Sequence, residues 1–275
     1  MSDASRSRPP RAAGRAALLV ASALTAAACG GAPIEWSDAA DPLPPPHAPD
    51  ARLALAADVP ALVVPPAPPA AWAPPALCGE ARYARRTADE WYAVGWLERA
   101  DATALLAASR SDDGGRSWGA PVPVDSLDRG RTGCRRPAPA IAADSASGYV
   151  HVAYFLEAPE GAGVFFSHSM ERGAVFHEPV AISYGTRPSA VSVAAWRDTV
   201  AVAYEDPNGE RPRVAIALSR TMGHIFEDRM FVTGTTLAAT RPRVAVGAGR
   251  LAVAWREGDT TAATPLVRVR TARWR

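Results

Sequence analysis

Three arginines share one local setting. Arg136, Arg187 and Arg241 each precede a proline and each opens a short Ala/Val run: PAPAIAA, PSAVSVA and PRVAVG. A guanidinium is a planar fork of donors that matches a carboxylate or phosphate. Brought to one point, the three would make an anion site. Glutamates recur just as regularly: Glu98, Glu157, Glu205 and Glu257 each follow an aromatic-ended strand. Paired carboxylates at a suitable separation cleave glycosidic bonds. The same residues have a second reading. A repeated arginine can pair with the repeated glutamate of the neighbouring strand and fix the geometry between units. Repetition favours that lattice, because a catalytic site breaks symmetry, and both readings stay open. Tyr184 lies three residues before Arg187. It could act as a nucleophile with Glu157 or Glu205 as its base, but no spacing selects it over a packing role at a strand end.

Other chemistries are set aside. There is no G-x-S-x-G elbow, no phosphate-cradling glycine loop ahead of a helix and no H-E-x-x-H. His151, His168, His177 and His224 are scattered through strands and hairpins, and no C-x-x-C occurs, so neither metal nor cofactor is expected. All thirty basic residues are arginine and the net charge is +2. Residues 1–28 hold four arginines and one aspartate, so without them the charge is −1. That balance gives no electrostatic footprint for nucleic acid.

The elements that must position these residues are repeated strands. Ala93-Val94-Gly95-Trp96, Val152-Ala153-Tyr154, Val202-Ala203-Tyr204 and Val253-Ala254-Trp255 end in aromatics 58, 50 and 51 residues apart. In phase with them runs a turn motif. Ser111-Asp112-Asp113-Gly114-Gly115-Arg116-Ser117-Trp118 has the form S-x-D-x-G-x-S-W. Ser111 and Asp113 can accept backbone N–H bonds inside the turn, Gly115 can take a positive φ, and Trp118 returns as an apolar anchor. Ser169-x-Glu171-x-Gly173-x-Val175-Phe176 and Ser219-x-Thr221-x-Gly223-x-Ile225-Phe226 are decayed copies. Each unit reads as four strands; in the second they fall near 138–143, 149–157, 162–169 and 178–183. Four-stranded antiparallel units repeated around an axis make a β-propeller, an all-β fold. A single sandwich is the alternative. Four units are visible and the last stops after its third strand, so Val59–Val64 is the candidate to close the ring.

The turn motif resembles the Asp box, or BNR repeat, of the sialidase-like β-propellers. All five defined positions match: Ser111, Asp113, Gly115, Ser117 and Trp118. The resemblance covers roughly residues 80–275. It implies that the box is a structural turn away from the active face. It also implies an arginine cluster for a sugar carboxylate, the first arginine in Arg-Ile-Pro, with a glutamate-activated tyrosine and a separate acid/base aspartate. The Arg-Pro steps here lack the middle residue. The first unit offers only Arg82, with no proline after it, and there are four units where the catalytic propellers have six. The expected function is therefore non-catalytic binding of a glycan or an envelope protein. The alternatives are an exo-sialidase or related glycosidase, and a purely structural envelope component.

The N-terminus reads as an export signal over residues 1–28. Arg6, Arg8, Arg11 and Arg15 precede the uncharged run AALLVASALTAAA, too short to span a bilayer. Ala26-Ala27-Ala28-Cys29 resembles a bacterial lipobox with Ala26 in place of leucine, which would make Cys29 a lipid anchor to the membrane; cleavage after Ala28 without lipidation fits as well. Residues 29–75 hold half of the 26 prolines and read as an extended linker that holds the 76–275 domain off a cell-envelope membrane. Cys78 and Cys134 are then an even pair in an oxidising compartment, where a disulfide is expected.

Overall fold

A computed structural model describes residues 34–37, 41–42, 67–258 and 266–274. Every regular element among them is a strand. The first sheet contains β3 (Arg82–Arg85), β4 (Trp91–Glu98), β5 (Ala104–Ser111) and β6 (Val122–Asp125). The second has β7 (Ala140–Ala143), β8 (Val150–Ala158), β9 (Gly161–Ser169) and β10 (Val180–Tyr184). The third has β11 (Val191–Trp196), β12 (Thr199–Glu205), β13 (Val214–Ser219) and β14 (Asp228–Phe231). The fourth has β15 (Ala239–Gly247), β16 (Arg250–Glu257) and β17 (Leu266–Arg273). Each sheet is an antiparallel meander, and the protein is an all-β propeller of such blades rather than one sandwich.

The second and third strands of each blade are nearly continuous apolar runs. VHVAYFLEA, TVAVAYE and RLAVAWRE have sheet neighbours on both edges and packed faces on both sides, so alternation with polar residues is lost. Three apolar clusters lie between successive blades. Tyr92, Trp96 and Tyr154 sit in the first, Phe166, Tyr204 and Phe226 in the second, Ile216, Leu251 and Trp255 in the third. A fourth cluster lies on the other face of the first blade. There Trp72 and Leu77, from the segment ahead of β3, cover Ala93 and Ala107 with Tyr83 and Trp118 beside them. A peptide strap thus occupies a face that elsewhere receives a whole sheet.

The outer edge of the fourth blade is completed from the N-terminal side, by β1 (Glu35–Trp36) and β2 (Asp41–Pro42), both antiparallel to β17. The Val59–Val64 segment lies outside the described residues. Residues assigned to the linker therefore take part in the fold, with Ile34 and Trp36 packed against the third cluster. Cys78 and Cys134 form the expected disulfide, 56 residues apart in sequence, tying the strap to the loop that enters the second blade.

Candidate functional site

The segment Ser111–Trp118 folds as a tight turn held by its own side chains. Ser111 Oγ accepts from Gly115 N at 2.9 Å; Asp113 Oδ1 accepts from Arg116 N and Ser117 N at 2.9 Å each. Hydrogen bonds from the Ser117 hydroxyl, then the Ser117 N–H, then the Ser111 hydroxyl hold the Asp113 carboxyl well below the usual range. The decayed copies keep the serine: Ser169 Oγ and Ser219 Oγ accept from Gly173 N and Gly223 N at 2.9 and 3.1 Å. The box glycines have φ of 79°, 80° and 90°. A Cβ on Gly173 would press on Tyr92 and one on Gly223 on Phe166, both in the preceding blade. The first box has no such blade beneath it; Pro68 of the strap fills the place.

The boxes and the turns between first and second strands lie at one end of the blades, as the bond from Gly114 N to Asp89 O shows. The starts of the first strands and the ends of the second strands lie at the other end. That end carries all six residues singled out as an anion or ligand site, and they do not converge. Arg136 is buried and donates to the Asp128 carboxylate and to Gly130 O and Gly133 O. Arg187 donates to Gly209 O and Asp206 O. Of these three, Arg241 alone leaves its side chain exposed, and no ion pair engages it among the described residues. Glu205 accepts from Arg241 N at 2.8 Å, Glu257 from Arg268 Nε at 3.0 Å, and Glu157 lies against Gly130. Among the described residues, none of the three arginines makes a side-chain ion pair with these glutamates. Arg136 serves its own loop and Arg187 the loop between β12 and β13, because a guanidinium near a loop of free carbonyls is satisfied there.

What does gather at this end is a different set. Arg82 opens β3; Arg241 and Arg243 lie in β15; Arg256 lies near the end of β16. Partial burial first, then the like charges of Arg82, Arg241 and Arg256, push the Arg243 guanidinium down from the usual arginine range. All four residues are exposed, and none makes an ion pair among the described residues. Arg241 sits in the left-handed region at φ 53°, in the bulge between Thr240 and Arg243. For a side-chain-bearing residue that conformation is costly. The Glu205 carboxylate holds it there through the backbone N–H, which makes Glu205 a positioning residue. Arg82, the weakest arginine candidate by sequence, belongs to this group, while Arg243 and Arg256 carried no signal beyond their residue type.

Tyr184 is 51% exposed at the end of β10, the strand at the outer edge of its blade. It meets Phe165 edge-on at 6.0 Å, and its carbonyl accepts from Asn208 Nδ2. The other tyrosines are engaged elsewhere. Tyr83 packs on Trp118, Tyr92 donates to Glu90, Tyr154 donates to Asp125 at 2.6 Å, Tyr149 stacks on His168, and Tyr204 is buried in the second cluster.

Two polar centres escaped the sequence reading. Glu90, 3% exposed, receives Arg86 Nη1 at 2.7 Å, Arg172 Nη2 at 2.6 Å and the Tyr92 hydroxyl. Its burial would raise its pKa; the hydrogen bonds from Arg172, Tyr92 and Arg86 prevail and lower it to about 2. Arg172 comes from the box of the second blade, so Glu90 bolts two blades together. The second centre is the set of histidines, which the fold brings into one group at the box end of the second and third blades.

No protein-family model matches this chain, and no curated protein matches it. Solved structures do share its architecture. A Hadza microbial sialidase, Hz136, superposes with a TM-score of 0.51 at 17% identity over 69% of this chain, which spans 43% of that protein's length. The GH93 α-L-arabinofuranosidase of Fusarium graminearum gives 0.49 at 13% identity, over 75% of this chain and 64% of that one. The NanB sialidase of Streptococcus pneumoniae gives 0.44 at 12% identity, over 74% and 33%. At such identities the likeness concerns the fold, a sialidase-like propeller; it carries no activity across.

Proposed function

We propose that this protein is a non-catalytic binding module of the cell envelope and that the end opposite the boxes takes an acidic glycan. The observation that carries the reading is the group of Arg82, Arg241, Arg243 and Arg256: four exposed guanidinium groups with no carboxylate partner among the described residues. Assembling like charges is unfavourable, and an anionic ligand offsets that cost. Against turnover stand the positions of the tyrosines, each packed or bonded away from the arginines, and the dispersal of Glu157, Glu205 and Glu257. The export signal and the lipidation of Cys29 complete the reading, with the propeller presented outside the membrane.

The test is retention of the folded protein on arrays of acidic and neutral glycans, together with release of a fluorogenic aglycone from an α-sialoside across about pH 4–8. Retention on acidic glycans only, weakened roughly tenfold or more in Arg243→Ala, supports the reading. Turnover abolished in Arg243→Ala would make the protein an exo-sialidase instead. Binding to no acidic glycan would remove the anion site.

A further inference from the structure

The histidine group lies at the far end of the molecule from the arginines. His151 and His168 are direct partners across the β8–β9 hairpin. His177 returns after the second box with its N–H on His168 O at 2.9 Å. His224 is contributed by the third box. Ring centroids of His168 lie 4.8 Å from His177, stacked, and 4.6 Å from His224, edge to face. Tyr149 stacks on His168 at 5.9 Å, and His151 stacks on Phe166 at 5.9 Å. His177 and His224 are exposed; His168 is 4% and His151 0% exposed. The rings form a file from solvent to core across the join between two blades. Within it, His151 Nδ1, His151 Nε2 and His168 Nε2 are buried with no hydrogen-bond partner.

We propose that this histidine file is a proton-operated latch: neutral, it holds the box hairpin of the third blade against the second blade; protonated, it releases that hairpin. A neutral ring tolerates an apolar stack, whereas an imidazolium needs acceptors for both N–H groups. Among the described residues, neither nitrogen of His151 nor His168 Nε2 has an acceptor within hydrogen-bond distance. Asp144 is the carboxylate that faces His151, and it is already taken by Ser147 N and Oγ at 2.6 Å each and by Arg197 N at 2.9 Å. The adjacent turn at Gly148 faces Arg86 and Arg172, which add positive charge. Box residues that would move have a ready hinge. Met222 and Gly223 are both left-handed, at φ 58° and 90°, and Phe226 is the apolar pin, 4.9 Å from Phe166.

The pKa shifts agree with this arrangement. Burial, then the neighbouring His168, hold His151 down at about 3; burial, then His224 and His177, hold His168 at about 4. Both values lie below the ordinary 6.5, so the closed state is favoured above pH 6.5 and loses ground as the pH falls toward 4 and 3. Between pH 7.5 and 4.5 each buried ring multiplies the opening equilibrium by about a hundredfold.

Hydrogen exchange on the full chain at pH 7.5 and 4.5, corrected for intrinsic rates, tests the latch. Peptides over 144–151, 166–177 and 219–226 should open a hundredfold or more relative to 82–98, and His151→Phe should cut that response by about the factor assigned to one ring. His224→Asn, at the exposed rim, should reduce it without the risk of core misfolding. An unchanged acid response in both variants would overturn the proposal. So would opening of 82–98 in step with the histidine peptides, since that is global acid unfolding and not a latch.

Discussion

At the seam between the first and second blades, Arg136 is buried against an equally buried Asp128 and two loop carbonyls. At the box end of the same seam Glu90 is ringed by Arg86, Arg110 and Arg172; at the Arg136 end the Cys78–Cys134 bridge ties the loop entering the second blade to the strap. Arg82 of the first blade and Arg243 of the fourth feel each other's charge, and neither makes an ion pair among the described residues. One residue type thus has opposite energetics in one fold. Where a counter-charge is built in, arginine belongs to the scaffold and its removal strands a buried acid. Where none is built in, the like charges stay uncompensated within the described residues, and an anionic ligand as proposed above would offset them.

That contrast can be broken at several points. Removing the bridge with Cys78→Ala and Cys134→Ala releases a long loop in the unfolded chain and should cost about 4 kcal/mol in urea unfolding. Arg136→Ala leaves Asp128 buried without its partner and should cost about 3 kcal/mol. Glu90→Gln should destabilise less, because Arg172 keeps access to solvent, and it should also flatten the acid limb of the stability profile. The sign follows from the lowered pKa: the Glu90 contribution is complete above the ordinary carboxyl value of 4.5 and is lost as the pH falls toward 2. The smallest effect is expected at the exposed arginine group. Arg82→Ala and Arg243→Ala should leave stability within about 0.5 kcal/mol, or raise it slightly, while weakening ligand retention. A large stability loss there would place those arginines in the scaffold and erase the contrast.

The scaffold was legible in the chain because it repeats. Trp96, Tyr154, Tyr204 and Trp255 mark the same strand four times, and the Ser111–Trp118 turn needs no partner beyond its own residues to be recognised. The arginine group was not legible, because it depends on how strands far apart in the chain are placed in the fold. Arg82 and Arg243 are separated by most of the domain, and nothing local to Arg243 distinguishes it from Arg213 or Arg229. The Arg-Pro step was a true periodic signal with a local meaning: it placed Arg136 and Arg187 beside loops whose carbonyls absorbed them. The histidines lay between these cases. The two-residue turn at 159–160 fixes His151 opposite His168, which the hairpin register could have given; bringing His224 onto them required the join between two blades.

The pairing of Glu35–Trp36 with Arg273 and Ala272 also sets an order of events in time. The ribosome makes the edge strand of the fourth blade first and its partner more than two hundred residues later. Until then Trp36 has no indole-sized niche to enter, and the fourth sheet waits with an open edge. Contacts this distant in sequence are formed late and slowly. The first three blades can therefore assemble as the chain emerges, while the last is finished only when the two ends of the domain meet.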